Sequence, residues 1–243
     1  MQWTYLGTLP YGQALALQHE LVAMRKRGEG DDVLLLLQHP PVLTLGRRAQ
    51  PSNIIASPEF LAKQGIEVFN VERGGDVTYH GPGQLVGYPI LDLKHFKKDV
   101  SWYVSALAEV FVRLLADFGL SSQYRSDLPG VWIGELKILA IGARIENWIT
   151  YHGFAFNVSP DMQHWQLIVP CGIPNKGVTS LARALGREIS VEAILPQVVQ
   201  HFGDVFGVEM EQSPAEVGDQ FVSTEHPAKS PRNASGNSAS AIY

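Results

Sequence analysis

The chain has 243 residues, of which 45% are hydrophobic, and its formal net charge is -5. This length and apolar content fit one large mixed α/β domain with a sizeable core, and the acidic balance argues against a nucleic-acid-binding protein. The sequence shows neither a run of about eighteen apolar residues nor a charged and apolar leader, so we expect a cytoplasmic protein that does not span a membrane.

Strands and helices alternate in the first third of the predicted structure. A strand is expected at residues 3–7, and a helix with leucines at helical spacing at residues 11–27. Two buried strands follow at residues 32–38 and 42–46, and a short helix begins at Ser57-Pro58. Further strands at residues 66–71 and 85–90 flank a glycine-rich segment, residues 73–84, which we interpret as a loop that joins them.

The clearest helix is predicted at residues 101–118, where the apolar side chains fall on one face and Gly119 ends the pattern. Three strands in a meander are then expected at residues 130–134, 137–145 and 149–157. Two more helices are predicted at residues 179–185 and 190–202, with Pro196 kinking the second or delaying its start. We expect the domain to span residues 1–211, followed by a disordered tail over residues 212–243, rich in Ser, Pro, Asn and Ala.

The glycine-rich segment has the sequence RGGDVTYHGPGQ. Its glycines allow sharp turns and let a ligand approach the main-chain amides. A plain hairpin would not need Arg, Asp, Thr, Tyr and His together, so we interpret the segment as a binding or catalytic site held on a sheet. The small residues Ala140, Gly142, Gly153 and Ala155, on two later predicted strands, leave room for a ligand against that sheet.

The chain has a single cysteine, Cys171, which excludes an internal disulfide and a thiolate zinc site. Flanked by Pro170 and Gly172, it is either a buried inert side chain or a rigidly presented, reactive thiol. A nucleophilic thiol must ionise, which a nearby cation favours. Lys137 is a candidate because it heads an otherwise apolar segment, and the alternative is a lysine at a strand edge that reaches solvent.

Five motifs resemble, in this order, those of the lipoyl (octanoyl) transferase family. They are RGGDVTYHGPGQLVGYP at residues 73–89, KILAIG at 137–142, HGFAFN at 152–157, PCGI at 170–173 and GVTSL at 177–181. The resemblance runs from the N-terminus to about Glu211. It implies an α/β (α+β) fold, with mixed sheets flanked by helices, similar to the catalytic domain of biotin and lipoate protein ligases.

The resemblance also implies roles for particular residues. Cys171 would be the nucleophile that carries an acyl thioester, Lys137 would lower its pKa, and no metal or other cofactor would be needed. The acyl-substrate pocket would be formed by Arg73, Gly74, Gly75, Asp76, Val77, Thr78, Tyr79 and His80, by Ala140, Ile141 and Gly142, and by Gly153, Phe154 and Ala155. Asp76 and Phe154 depart from the family's usual forms, often an amide or basic residue at the first position and leucine at the second.

The function implied by the resemblance is the first step of protein lipoylation. An octanoyl group would pass from octanoyl-acyl carrier protein, through the Cys171 thioester, to a lysine of a lipoyl domain. The expected partners are that carrier and the lipoyl domains of 2-oxoacid dehydrogenase complexes and the glycine cleavage H protein, with no nucleic acid and no membrane. These partners are usually acidic, so docking is expected at basic patches such as Arg47-Arg48 or Lys94 with Lys97 and Lys98.

Two rival functions stay open. The chain could be an ATP-dependent lipoate or biotin protein ligase, although it has no Walker loop and those ligases resemble it least at Cys171. It could also be a catalytically silent protein that binds acyl carriers or lipoyl domains.

Overall fold

A computed structural model describes residues 1–169 and 177–213. The strands are β1 (Gln2–Thr8), β2 (Val33–Gln38), β3 (Val42–Leu45), β4 (Glu67–Asn70), β5 (Val77–His80), β6 (Gln84–Ile90), β7 (Gln123–Arg125), β8 (Gly130–Ile133), β9 (Leu136–Glu146), β10 (Ile149–Asn157), β11 (Gly177–Val178) and β12 (Glu211–Gln212). The α-helices are α1 (Tyr11–Lys26), α2 (Pro58–Lys63), α3 (Val100–Asp117), α4 (Leu181–Leu185) and α5 (Val191–Phe206), and 3₁₀ turns lie at Pro51–Asn53 and Met162–Leu167.

Two mixed sheets organise the described part of the chain. The main sheet has nine strands, in the order β12-β1-β2-β6-β10-β9-β8-β7 with β11 beside β9. A second sheet has three strands in the order β4-β3-β5. The predicted fold, mixed sheets flanked by helices, is confirmed.

The main sheet begins with a β-α-β unit. Strands β1 and β2 pair in parallel, with Trp3 opposite Leu34, so α1 must cross one face of the sheet to connect them. The helix packs Ala14 and Leu17 against Ala155 of β10. We call the side that α1 covers the α1 face.

Helices α3 and α5 cover the opposite face of the main sheet. Helix α3 starts where the Asp99 side chain accepts a hydrogen bond from the Trp102 amide, which caps its N-terminus. Its Phe111 ring lies 4.7 Å from that of Phe154 and 4.8 Å from that of Phe156, both on β10. Burying an aromatic side chain of this size contributes about 1.5–3 kcal/mol, and this layer holds the largest cluster of buried apolar side chains in the described part of the chain.

Most elements predicted from the first half of the chain and from the meander are confirmed to within a few residues. The last helix differs, because α5 starts at Val191 without delay and passes through Pro196. It also continues to Phe206 and ends at Gly207, whose positive φ of 68° closes the helix. The short strand β7 was not predicted at all.

The interpretation of residues 73–84 as one loop is wrong. Residues Val77–His80 form β5, which pairs antiparallel with β3 and places Val77 opposite Leu45. The segment is therefore two turns around a short strand, and the strands that flank it lie in different sheets. The β-branched and aromatic side chains of Val77, Thr78 and Tyr79 favour a strand, and this preference outweighs the neighbouring glycines.

The structure describes two residues beyond the predicted boundary at Glu211. Gln212 pairs with Trp3 in the main sheet, and the Ser213 hydroxyl donates a hydrogen bond to Gln2. Residues 214–243, the rest of the predicted tail, lie outside the described residues. Within the part that the structure describes, none of the helices combines the length and apolar character that crossing a membrane requires.

Candidate active site

A cavity of about 630 Å³ lies beside β9 and β10, a size typical of small-molecule sites. Of the predicted pocket residues, its walls include Arg73, Gly74, Gly75, Asp76, Val77, Thr78, His80, Ala140, Ile141, Gly142, Gly153, Phe154 and Ala155, together with Lys137. Three distant segments of the chain therefore meet at one place, as the motifs predict. Their contact with an acyl chain stays a prediction.

Tyr79, alone among the predicted pocket residues, does not line this cavity. Successive side chains of a strand point to opposite sides, and Thr78 and His80 face the cavity while Tyr79 faces away. Its hydroxyl lies 3.0 Å from Nδ1 of His164, and its ring stacks on that imidazole. Tyr79 belongs to the small core beneath the second sheet.

We call the turn at residues 73–76 the glycine turn. Its charged side chains stabilise the turn itself. The guanidinium of Arg73, only 7% exposed, donates to the carbonyl oxygens of Thr44 (2.7 Å), Gly74 (2.9 Å) and Asp76 (2.8 Å). The carboxylate of Asp76 in turn accepts a hydrogen bond of 2.5 Å from the Asn53 side chain. These bonds fix the turn over the cavity before any ligand arrives, which lowers the ordering cost of binding.

Gly142 does not leave room for a ligand against the sheet, contrary to the prediction. A Cβ atom there would lie 3.1 Å from the Gly74 carbonyl oxygen and 3.2 Å from Cδ of Arg73. The Gly74 amide also donates a 3.1 Å hydrogen bond to the Ala143 carbonyl. Gly142 is needed because the glycine turn packs directly onto β9 at this point.

Gly153 serves a similar purpose between two strands. A Cβ atom there would collide with the carbonyl oxygen of Gly87 and lie 2.6 Å from Cδ of Pro89, both on β6. The surface of the main sheet that stays open to the cavity consists of Ala140 and Ala155, which are direct partners across β9 and β10. The Phe154 ring, by contrast, fills the space above Gly87 in the main core.

Lys137 is 8% exposed and faces the cavity, so it is not a strand-edge lysine that reaches solvent. Gly130 and Trp132 of β8 point to the same side, and their partners on β9 are Ala140 and Lys137. A register shift beside Val131 thus brings Lys137 onto the same side as Ala140. Its Nζ atom lies 4.9 Å from the Trp132 ring centroid, within the range of a cation–π contact.

Cys171, together with Pro170, Gly172 and Ile173, lies outside the described residues. The chain re-enters the structure at β11, where Val178 pairs with Lys137, and the Thr179 amide donates to the Lys137 carbonyl at 2.9 Å. Val178, seven residues after Cys171 in the sequence, therefore lies beside the backbone of Lys137. Within residues 1–169 and 177–213, no group of His, Cys, Asp and Glu side chains could hold a metal ion.

His80 lies in a buried hydrogen-bond network. Its Nδ1 is 2.7 Å from Oε1 of Gln84, whose amide nitrogen donates to Asn157 at 2.9 Å. Oε1 must therefore accept a hydrogen bond from Nδ1–H, which leaves Nε2 as an acceptor 3.5 Å from the Thr44 hydroxyl. Burial, with His39 nearby, holds the pKa of His80 well below its usual range, so the ring is neutral and a weak base.

Two further buried histidines make the protein sensitive to acid. Burial lowers the pKa of His39 to about 4 and that of His152 to about 3. In the unfolded chain both would titrate near pH 6.5. As the pH falls below this value, the unfolded state takes up protons that the folded state refuses, so stability present above pH 6.5 is lost toward pH 4.

We predict that the free energy of unfolding falls by about 1.4 kcal/mol per pH unit for each such histidine between pH 6.5 and 4. The variant His39→Phe should reduce this slope, measured by urea denaturation at several pH values. Tyr88→Phe is the matched control, because it removes the hydroxyl that donates to His39 at 2.7 Å but keeps the histidine. An equal slope in His39→Phe and the unsubstituted protein would contradict the prediction.

Several cavity residues were not predicted as site residues. Tyr88 and His152 lie inside the quoted motifs, so a signal for them was present in the sequence. Tyr11 reaches the cavity from the start of α1, and Arg47 and Arg48 reach it from the turn after β3. Tyr11, Arg47 and Arg48 reach the cavity only through the packing of α1 and the second sheet. Residue spacing in the sequence does not reveal that packing.

Comparison with known proteins agrees with this geometry. Residues 10–203 match the model of the lipoyl protein ligase A/B catalytic domain. The solved structure of a bi-partite lipoate protein ligase and its E2 lipoyl domain from Thermoplasma acidophilum has the same fold, with a TM-score of 0.71 at 18% identity, covering 90% of this chain and 89% of that one. The chain belongs to the lipoyl protein ligase A/B catalytic domain family.

Within this family, relatives of about half identity are octanoyltransferases. The octanoyltransferase of Caldicellulosiruptor bescii is 50% identical over 205 residues, which cover 84% of this chain and 90% of that protein. The octanoyltransferase of Solibacter usitatus is 49% identical over 205 residues, covering 84% and 92%. The protein is therefore an acyltransferase, and the family predicted from the motifs is confirmed.

Proposed function

We propose that this acyltransferase works in the cytoplasm and moves an octanoyl group from acyl carrier protein, through a thioester on Cys171, to a lysine of a lipoyl domain. The observation that carries the proposal is the buried Lys137, which faces the cavity and whose backbone pairs with Val178, seven residues after Cys171 in the sequence. An ammonium at the cavity wall stabilises a negative charge that develops near it, such as that of a thiolate.

The first step exchanges one thioester for another. The Cys171 thiolate attacks the carbonyl carbon of the octanoyl thioester, the bond from that carbon to the carrier's sulfur breaks, and the carrier leaves as a thiolate that takes up a proton from solvent. Bonds of the same type form and break, so the step needs no ATP.

The second step forms an amide. The neutral amine of the target lysine attacks the Cys171 thioester, and the sulfur leaves as a thiolate that the Lys137 ammonium stabilises. The amine also loses a proton, which the departing Cys171 sulfur takes up to give the thiol, because an ammonium at Lys137 cannot accept it and burial makes His80 a weak base. Conversion of a thioester to an amide is downhill and drives the transfer.

The two rival functions are less well supported. An ATP-dependent ligase would need an acyl-adenylate site, whereas the relatives at about half identity are named octanoyltransferases. A silent binder would have no use for a lysine buried against Trp132 at the cavity wall.

Intact-protein mass spectrometry tests the proposal. Incubation with octanoyl-acyl carrier protein, without ATP, should add the mass of one octanoyl group at Cys171, and a lipoyl domain added afterwards should remove it and gain the same mass. Labelling of the lipoyl domain only with free octanoate and ATP would support a ligase instead. Absence of any label on either protein would support a silent binder.

Arg47 and Arg48 favour one of the two predicted docking patches. Both are exposed and line the cavity, whereas Lys94 and Lys97 form ion pairs with Asp92 (3.3 Å) and Asp99 (3.1 Å). The positive charge at the entrance is therefore provided by the two arginines. We infer that the acidic carrier docks there, so that its acyl group enters beside the glycine turn.

Reversing the charge of Arg47 and Arg48 to Glu should raise the KM for octanoyl-acyl carrier protein by roughly tenfold, and more at low ionic strength, because electrostatic attraction of this size speeds encounter. The measurement is steady-state kinetics at two salt concentrations. The double variant Lys97→Glu, Lys98→Glu is the matched control. An equal or larger effect of the lysine variant would place the docking surface near α3.

A further inference from the structure

The chain between β3 and α2 is bonded along its first half to the glycine turn. The Arg48 amide donates to the Gly75 carbonyl at 3.1 Å, and the Gln50 amide donates to the Asp76 carboxylate at 3.3 Å. The hydrogen bonds of the Arg73 guanidinium hold the turn in one conformation. The backbone of residues 46–50 is therefore fixed relative to the glycine turn.

The second half of the same connection pairs with the chain that precedes Cys171. Ile54 forms an antiparallel β-bridge with Ile168, whose side chain is 2% exposed in the small core beneath the second sheet. The Val169 amide donates to the Asn53 carbonyl at 2.7 Å. Val169 precedes Cys171 by two residues in the sequence, so these bonds fix the backbone that leads into the predicted nucleophile.

Asn53 is the residue at which the two halves meet. Its Nδ2 atom donates to Oδ2 of Asp76 at 2.5 Å, while its carbonyl oxygen accepts from the Val169 amide. The other carboxylate oxygen of Asp76, Oδ1, accepts from the Val77 amide at 2.7 Å. Asn53 therefore bonds to the glycine turn through its side chain and to Val169 through its backbone.

The proposed reaction makes the relative position of these two parts important. The glycine turn lines the cavity, and Cys171 supplies the attacking sulfur. Attack requires the sulfur and the acyl carbon to approach within about 3–3.5 Å in the right direction, and a misplacement of about 1 Å can cost ~10²-fold in rate. A contact that fixes the chain before Cys171 against the turn therefore affects the rate without touching the substrate.

We propose that Asn53 is a positioning residue for the acyl transfer, an inference that rests on the proposed octanoyl transfer to Cys171. Asn53 is not part of the cavity wall, so it acts through the residues it holds. Its two hydrogen bonds keep the backbone at Val169 aligned with the glycine turn, so that the thiol meets the acyl carbonyl beside that turn. Asp76, which departs from the family's usual forms, supplies the acceptor that this role requires.

Asn53→Asp tests the alignment. It replaces the donating amide with a carboxylate of the same size, and two carboxylates at hydrogen-bond distance repel each other. In single turnovers with octanoyl-acyl carrier protein, the maximal rate of Cys171 acylation should fall by roughly 10–100-fold. The carrier concentration that gives half of this rate should stay within about twofold, because the cavity walls are unchanged. Asn53→Ala removes the donor without adding a charge and should lower the rate by a smaller factor.

A second substitution restores the hydrogen bond with reversed polarity. In the double variant Asn53→Asp, Asp76→Asn, the new amide at position 76 keeps an oxygen for the Val77 and Gln50 amides. Its NH₂ group can then donate to the new carboxylate at position 53. The acylation rate should return to within about threefold of that of the unsubstituted protein, since the two positions are coupled.

Ser52→Ala is the matched control, because Ser52 is exposed in the same 3₁₀ turn. Its acylation rate should equal that of the unsubstituted protein. Iodoacetamide is a small reagent that needs no alignment with the turn, so it should alkylate Cys171 within about twofold of the normal rate in every variant. A normal acylation rate in Asn53→Asp, no recovery in the double variant, or an equal loss of alkylation and acylation would overturn the role of Asn53.

Failure of this inference can be told apart from failure of the proposed function. If Cys171 of the unsubstituted protein and of Asn53→Asp becomes octanoylated at the same rate, only the role of Asn53 is lost. If Cys171 of the unsubstituted protein takes up no octanoyl group from the carrier, the proposed transfer itself is wrong, and the role of Asn53 falls with it.

Discussion

Octanoyl transfer is expected to fall by ~10³-fold or more when Cys171 is replaced with serine, as is usual when a catalytic nucleophile is lost. A thiol with a pKa near 8.5 is a few per cent ionised at neutral pH, and more beside an ammonium, whereas a serine hydroxyl stays protonated. Serine would also have to form an oxygen ester. The measurement is the rate at which a lipoyl domain gains the octanoyl mass.

Matched measurements on the same variant guard against misfolding. Its urea midpoint should equal that of the unsubstituted protein, since one oxygen replaces one sulfur. Turnover of Cys171→Ser near the normal rate would rule out the thioester intermediate and with it the proposed mechanism.

The second large effect is expected for Lys137→Met. Methionine keeps an unbranched apolar stem beside Trp132 and removes the charge that Lys137 brings to the cavity wall. Transfer should fall by ~10²–10⁴-fold, the range for losing a group that manages charge or protons in a transition state. The pH at which iodoacetamide alkylates Cys171 should rise as well, because the thiolate loses a neighbouring positive charge.

Lys98→Met is the control for this substitution, because Lys98 is an exposed lysine in the turn before α3. It should change neither the transfer rate nor the alkylation profile. If Lys137→Met alkylates with the same pH profile as the unsubstituted protein, Lys137 does not stabilise the thiolate, and Arg73 becomes the candidate cation.

The sequence predicts what depends on local pattern. The apolar face of α3 is visible at helical spacing, and the glycine turn stands out by composition, so both were located without the structure. The motifs also brought together the turn, Ala140 and Ala155, which the structure places around one cavity.

Features that depend on register and on backbone strain were not predicted. Lys137 shares a side with Ala140 only because the pairing of β8 and β9 shifts by one residue. The resemblance implies a pocket that includes Tyr79 with the rest of residues 73–80, whereas alternation along β5 turns its ring away from this cavity. The left-handed backbone of His152 leaves no mark in the sequence, because histidine is not a residue that requires it.

The departures from the family pattern also acquire a structural explanation. Asp76 accepts hydrogen bonds from the side chain of Asn53 and from the amide of Gln50, so its carboxylate anchors the glycine turn to the preceding segment. The ring of Phe154 packs against Phe111 in the main core, on the side away from α1. Asp76 and Phe154 therefore affect the site indirectly, because Asp76 holds the glycine turn in place and Phe154 packs in the core beneath the main sheet.

The pairing of β12 with β1 decides how the chain can be shortened. These strands close one edge of the main sheet, and the Met1 amino group also donates to the Glu209 carbonyl at 2.7 Å. Truncation after Ser213 would keep the pairing of β12 with β1. Truncation before Glu211 would remove β12 and expose the backbone of β1 as an open sheet edge, which favours pairing between molecules. Strand β12 lies four strand spacings, or about 19 Å, from β10. A fusion partner attached after Ser213 would therefore extend from the edge of the sheet that is remote from the acyl cavity.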